Sequence, residues 1–249
     1  MSGAANMAAD EALLRAARAT GATFLRLYRW AAPGCLSFGR NEPASRRFDR
    51  GAIAIKGWPV VRRPTGGRAV WHEHEVTYAV AAPVAHWGSL RASYHAIHEL
   101  LADALVTLGV DARLATTVRG AGHGLRTDHG PHTGHGPCFA LAIGGEIVVG
   151  DRKLVGSAQL RDGDAFLQHG SILLNGTQDA LRQVSRAPGP PVPSTTLHAL
   201  LGRDVPFDEI ASAVAQRARR AWGDPESDAP LLPLPDAARY LSEEWTWRR

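Results

Sequence analysis

Cysteine is scarce: the chain has two, Cys35 and Cys138, far apart in sequence. They form neither a disulfide framework nor a paired-thiol motif, which suits a reducing compartment, and a cytoplasmic protein is expected. No stretch is apolar enough to span a bilayer. The start at Met1-Ser2-Gly3 lacks a basic region before a long apolar run, so no signal peptide is read there. Net charge is +4 at a pI near 9.5, but no dense Lys/Arg block is present, which argues against nucleic acid. A mildly basic surface suits an acidic protein partner. No internal repeat and no carboxylate-and-histidine metal motif appear, so no metal is expected. With 45% hydrophobic and 21% charged residues over 249 positions, the chain is long enough to fold around its own core without staples.

The most informative stretch is Val61-Arg62-Arg63-Pro64-Thr65-Gly66-Gly67-Arg68-Ala69-Val70-Trp71-His72. Apolar residues flank a turn rich in Gly and Pro, a pattern of strand, tight loop and strand. Gly66 and Gly67 permit left-handed geometry and close approach of a ligand, and their N–H groups could form a small anion-binding nest. Arg62, Arg63 and Arg68 add positive charge. From spacing alone, a glycine hairpin with solvated arginines fits as well.

Arg62 to His72 resembles the signature loop of the lipoate–protein ligase and octanoyltransferase family, whose catalytic fold is shared with biotin–protein ligases. Many ligases carry a third glycine where this chain has Arg68. The arginine form is similar to the cysteine-dependent branch that acylates the glycine-cleavage H protein. The resemblance runs from Asn6-Met7 to Ser242-Glu243-Glu244-Trp245. It implies an α/β (α+β) fold, a mixed and largely antiparallel sheet with packed helices. Residues 1–186 would form the catalytic domain and 187–249 a helical extension packed on it.

Along the chain, Asn6 can cap a helix through Met7, Glu11, Leu14 and Ala17, with Asp10 and Glu11 in its first turn. Phe24 to Trp30 reads as a strand. Leu36 to Phe38 ends another in the turn Gly39-Arg40-Asn41. Family ligases have a glutamine after this turn, beside the ligand; here Glu42 follows Asn41. Arg40 reads equally well as a surface arginine. Val76, Tyr78 and Val80 alternate as in a half-buried strand. A helix runs from about Ser89 to Leu108, with Tyr94, Ile97, Leu101, Leu105 and Leu108 as its stripe and Gly109 as terminator. His95 and His98 on it read as surface or packing residues.

Residues 119–137 are rich in Gly and His and read as a mobile loop. An antiparallel meander follows, punctuated by Gly150-Asp151, Asp162-Gly163 and Asn175-Gly176. Within Arg152 to Arg161, Lys153, Val155, Ser157 and Gln159 share one face. Leu154, Gly156, Ala158 and Leu160 share the other, where two small residues leave room for a ligand. Helices are expected over Gln178–Val184, Leu197–Leu201 and Phe207–Trp222.

For chemistry, the resemblance singles out Cys138, in Gly136-Pro137-Cys138-Phe139, as the acyl-accepting nucleophile. It matches Lys153 to the family's lysine strand. A nearby ammonium favours the thiolate and a lysine can carry protons. Read bottom-up, Cys138 could equally be a small buried residue and Lys153 a solvated one. Cys35, in an apolar strand, reads as core. His72 and His169 match family histidines that shape the acyl pocket, or are hydrogen-bonded structural histidines. Arg62, Arg63, Thr65, Gly66, Gly67, Arg68, His72, Gly156, Ser157, Ala158 and His169 form the expected binding set.

The implied reaction moves octanoyl from acyl carrier protein to Cys138. It then passes to a lysine of a lipoyl-carrying acceptor such as the glycine-cleavage H protein. No cofactor is needed, and a monomer is expected. Three alternatives remain open at this point: an ATP- and Mg-dependent lipoate–protein ligase, an octanoyl amidotransferase between lipoyl domains, and a non-catalytic acyl-binding relative.

Overall fold

The computed structural model describes residues 1–115, 145–191, 193–225 and 236–248. The expected mobile loop 119–137 and Cys138 lie outside the described residues.

The chain opens with α1 (Gly3–Thr20), β1 (Phe24–Tyr28), β2 (Cys35–Phe38), α2 (Ala44–Arg47) and α3 (Arg50–Ile55). Next come β3 (Val60–Arg62), β4 (Val70–His72), β5 (Glu75–Pro83), a 3-10 turn at Val84–Trp87 and α4 (Leu90–Val106). Then follow β6 (Arg113–Leu114), β7 (Ile147–Val149), β8 (Arg152–Asp162), β9 (Ala165–Leu173) and a second 3-10 segment at Gln178–Val184. The described chain ends with α5 (Leu197–Leu201), α6 (Phe207–Trp222), α7 (Ala238–Leu241) and α8 (Glu243–Thr246).

Six strands form one antiparallel sheet in the order β1-β5-β9-β8-β7-β6. The Asp162-Gly163 turn closes the β8–β9 hairpin as its composition predicts, with Gly163 at φ 61°. Three further strands form a mixed sheet in the order β3-β2-β4. The fold is thus the expected mixed α/β arrangement.

Three local expectations are corrected. The signature stretch is not a hairpin, because β3 runs parallel to β2 on one side and β4 antiparallel to it on the other. Residues 63–69 therefore cross the end of β2, tied there by Arg63 N–H to Phe38 O (2.8 Å) and Arg40 N–H to Thr65 O (2.7 Å). α1 is capped by Ser2, whose Oγ accepts from Ala5 N–H, and Asn6 lies a full turn inside it. Asn6 and Asp10 then face inward and are buried. β5 is buried on both faces rather than half-buried, since α1 covers one face of the large sheet and α4 the other.

On the α4 side, Ile97, Leu101 and Leu105 meet Val76 and Val80 of β5 and Ile210 and Val214 of α6. On the α1 side, Met7, Leu14 and Ala17 pack with Ala79, Ala81 and Leu167. Each such buried aliphatic side chain contributes about 1.5–3 kcal/mol of transfer free energy. Cys35 belongs to this second core as expected, and burial pushes its thiol up to about 12, so it stays protonated. No helix among the described residues is long and apolar enough to cross a membrane.

Candidate functional site

A cleft opens between the large sheet, the signature loop and α1. Its sheet wall is Gly156-Ser157-Ala158 of β8 and His169-Gly170-Ser171 of β9. The register sets Gly156 opposite Ser171 and Ala158 opposite His169, so the small residues of β8 leave the space that the sequence predicts. Met7, Tyr28 and Trp30 form an apolar side, and Arg63, Val70 and His72 come from the loop and β4.

Two buried carboxylates hold the histidines of this cleft. Glu75 Oε1 accepts from Thr77 Oγ1 (2.5 Å) and Ser171 Oγ (2.7 Å) and lies 2.8 Å from His72 Nδ1. Burial alone would raise its pKa, but His72 and the two hydroxyls hold it below the usual carboxylate range. Nδ1 of His72 therefore carries the proton. On the other side of the ring, Nε2 lies 2.6 Å from Ser37 Oγ. Burial lowers the His72 pKa, with Glu75 opposing, so the ring is neutral and Nε2 accepts the Ser37 hydroxyl. Ser37 Oγ in turn accepts from Arg63 Nη1 (2.5 Å), and Trp30 stacks on the imidazole with ring centroids 3.9 Å apart.

The second carboxylate is Asp10. Its oxygens accept from Arg26 Nη1 (2.7 Å) and Tyr28 Oη (2.8 Å) and lie 2.9 Å from His169 Nδ1. His169 Nε2 lies 2.6 Å from Thr65 Oγ1. Two carboxylate–histidine–hydroxyl chains thus run from the sheet and α1 to β2 and the loop. Arg63 completes the hold by donating to the carbonyls of Ser37, Gly66 and Arg68.

Arg62 does not reach the cleft, which corrects its placement in the binding set. It is fully buried, and its guanidinium donates to the carbonyls of Gly39, Arg40, Glu42, Thr246 and Arg248. Strand alternation sends adjacent arginines to opposite sides, so Arg63 lines the cleft while Arg62 fastens the C-terminal segment to the turn after β2. Gly66 and Arg68 are half-buried, and Gly67 is exposed at φ 82°, in the left-handed region. Glu42, the departure from the ligase pattern, is buried against Arg47 at 2.7 Å.

Lys153 is not among the cleft-lining residues. It is buried on the α4 face of β8, and its Nζ donates to Glu146 Oε1 at 2.6 Å. On that face, Ser157 Oγ meets Tyr78 Oη at 2.6 Å and His98 Nε2 at 2.8 Å. Gly170 makes room for this cluster, since a Cβ there would lie 2.4 Å from Ser157 Oγ. His98 Nδ1 lies 2.5 Å from the Gly145 carbonyl, which only accepts, so Nδ1 carries the proton and Nε2 accepts.

Burial pushes the His98 pKa down from 6.5 to about 4. Between those values the unfolded chain binds a proton that the folded one refuses, so stability falls as pH falls through the window. The loss amounts to roughly 3 kcal/mol at its acid end. His98→Gln keeps a donor toward Gly145 and an acceptor toward Ser157. Urea unfolding at neutral and acid pH is expected to show a smaller acid loss in this variant. An equal loss in both proteins would place the acid sensitivity elsewhere.

Residue-by-residue reading misses Asp10, Glu75, Glu146, Ser37 and Trp30. Asp10 and Glu75 act on residues brought near only by folding. A buried helical face carrying Asn6 and Asp10 beside Met7 was the one available signal.

Residues 2–219 match the family model described as the lipoyl protein ligase A/B catalytic domain. The chain is 36% identical to the octanoyltransferase LipM of Kyrpidia tusciae, covering 100% of this chain and 96% of that protein. It is 40% identical to LipM of Moorella thermoacetica, covering 98% and 93%. A lipoate-protein ligase A structure bound with ATP superposes with a TM-score of 0.78 at 22% identity, over 99% of this chain and 94% of that one. A putative lipoate protein ligase from T. acidophilum with bound lipoic acid gives 0.74 at 22%, over 98% and 94%. At these identities the two solved structures speak to fold.

Proposed function

The chain belongs to the lipoyl protein ligase A/B catalytic-domain family, and from that premise we propose an octanoyltransferase of lipoate biosynthesis that works through a cysteine thioester. The observation carrying this reading is the likeness to LipM octanoyltransferases over the whole chain. The cleft is consistent with it: apolar on the Met7, Tyr28 and Trp30 side, walled by small residues, and closed by a rigid polar loop.

In the proposed sequence the Cys138 thiolate attacks the octanoyl thioester of an acyl carrier protein. A new C–S bond forms and the carrier's C–S bond breaks, releasing its thiol. The amine of a lysine on a lipoyl-carrying acceptor then attacks the Cys138 thioester. A C–N bond forms, the C–S bond breaks, and the amine's proton leaves. Replacing a thioester by an amide is downhill, so neither ATP nor Mg is required. The acyl chain would lie along Gly156, Ser157, Ala158 and Gly170. His72 and His169, each hydrogen-bonded by its buried carboxylate, would keep Arg63 and Thr65 in place at the cleft rim. The protein would act as a monomer in the cytoplasm, where the Cys138 thiol stays reduced.

The test is to incubate the protein with octanoyl-carrier protein in the absence of ATP and to follow the mass of the peptide containing Cys138. A gain of one octanoyl group is expected. Modification that needs ATP and free acid would instead identify a ligase.

The rim should tolerate no Cβ at Gly39. One would lie 1.9 Å from Gly67 O and 2.7 Å from Gly67 C, backbone against backbone, which no rotamer change relieves. Gly39→Ala is therefore expected to lift the loop and weaken donor binding by about tenfold or more. Donor titration alongside thermal melting checks this. Unchanged donor affinity would separate the loop from the donor site.

A further inference from the structure

The last described residues, Trp245-Thr246-Trp247-Arg248, are packed down rather than left as a tail. Trp245 Nε1 donates to the Arg62 carbonyl at 3.0 Å, and Trp247 packs against Phe38. Guanidiniums are laid on both indoles. Arg239 and Arg248 lie 3.7 and 4.2 Å from the Trp245 ring centroid, and Arg50 lies 4.6 Å from that of Trp247. Arg248 also donates to the carbonyl of Arg40. Four arginines from α3, the turn after β2 and the C-terminal segment thus gather around two tryptophans. We propose that this patch docks the protein that brings the acyl group, an acidic carrier whose thioester arm hangs from a phosphodiester. The inference rests on the octanoyltransferase reading and adds to it the surface that holds the donor.

Positive charge is in excess there. Arg50 pairs with Glu243 at 2.8 Å and Arg239 with Glu11 at 3.2 Å. Arg40 and Arg248 have no carboxylate partner among the described residues, and Glu244, the other acid of α8, is exposed and pairs with neither. Burial, then the charges of Arg40 and Arg239, lower the Arg248 pKa. Like charges held together carry a repulsion that an arriving anion relieves. An indole beneath a guanidinium fixes its position, so little side-chain freedom is lost when the anion binds.

The patch adjoins the cleft. Arg40 N–H binds Thr65 O at 2.7 Å, and Thr65 Oγ1 lies 2.6 Å from His169 Nε2 in the cleft wall. A carrier held here has the root of its arm beside the loop at the cleft rim. Two observations favour the donor protein over other anions. Leu241, on α7, is 73% exposed, and a protein surface can cover it where a free phosphate cannot. The acceptor presents a lysine, whose ammonium an arginine patch repels, whereas the carrier's carboxylates and phosphodiester are attracted.

Steady-state transfer by the wild type and by Arg40→Gln/Arg248→Gln, each at low and high salt, tests this. At low salt the half-saturating concentration of octanoyl-carrier protein is expected to rise by about tenfold in the variant. The rate at saturation and the acceptor's half-saturating concentration should each stay within about twofold. Screening at high salt should shrink the donor effect to about twofold. The thermal midpoint reports the fold. If the double variant melts early, Arg40→Gln alone carries the test, with a rise of about threefold expected, because that exposed side chain makes no hydrogen bond or ion pair among the described residues. Unchanged donor dependence would overturn the inference. So would a rise confined to the acceptor, which would make the patch the acceptor's, or a loss confined to the rate at saturation, which would put the arginines at the reacting groups. A wild-type protein that takes no octanoyl group from the carrier would instead remove the octanoyltransferase reading itself, and the inference with it.

Discussion

Arg62→Ala is expected to lower the thermal midpoint by on the order of 10 °C, with no ligand in the sample. The guanidinium donates to five main-chain carbonyls: Thr246 from Nε at 3.0 Å, Gly39, Arg40 and Glu42 from Nη1 at 2.8, 3.1 and 2.8 Å, and Arg248 from Nη2 at 3.0 Å. Burial and the nearby Arg248 push its pKa down to about 10, so it is still a cation near neutral pH. Removing it strands several buried acceptors at about 1–3 kcal/mol each, some of which water will reach, for a net cost of roughly 3–5 kcal/mol. A domain of this size loses about 2–4 °C per kcal/mol. The variant should also free the end of the chain. Trp245 Nε1 donates to the Arg62 carbonyl at 3.0 Å, and Trp247 stacks edge-on against Phe38 at 5.2 Å. Faster proteolysis after α7 is the second expected readout. Arg62→Lys should recover less than half of the loss, because one ammonium cannot span carbonyls on both sides. If the alanine variant melts like the wild type yet binds donor poorly, the residue is a ligand contact, as the signature motif implies, and the fastening role is wrong.

Arg62 and Arg63 show where the sequence is legible and where it stops. The signature stretch announces an important loop, and small residues on alternate positions of β8 announce a cleft. Both follow from rules that act over a few residues. α4 was legible for the same reason: Ser89 caps it, its stripe has helical period, and Gly109 ends it at φ 86°. What separates the two arginines is supplied by chain nearly two hundred positions away, namely the carbonyls of Thr246 and Arg248. The β3-β2-β4 order is hidden for a related reason, since a loop that crosses a third strand has the same Gly and Pro content as a hairpin. Asp10 looked like a first-turn acid because Asn6 is a good cap. Ser2 takes that place, and the register shift of one turn moves Asp10 from the helix end to the histidine of the cleft. Glu75 and Glu146 carry no local signal, because their partners are defined by sheet register and by a turn against α4.

Cys138→Ser is expected to reduce octanoyl transfer by on the order of a thousandfold or more, the scale on which removing a nucleophile acts. The motive is the Gly136-Pro137-Cys138-Phe139 context in a chain whose other cysteine cannot substitute: Cys35 is buried in the α1 core, with burial holding its thiol protonated. A serine hydroxyl has nearly the volume of a thiol but ionises far less readily, and Lys153 has no means of making it an alkoxide near neutral pH. The thermal midpoint should therefore stay within a few degrees of the wild type while turnover vanishes. Intact-protein mass spectrometry gives the complementary readout. Wild-type protein incubated with octanoyl donor and no acceptor should accumulate one octanoyl group, and the serine variant none. Supplying ATP, Mg and free octanoate distinguishes the rival chemistry, since a ligase activates its acid as an adenylate and needs no cysteine. If the serine variant acylates the acceptor at the native rate under those conditions, the covalent mechanism is wrong.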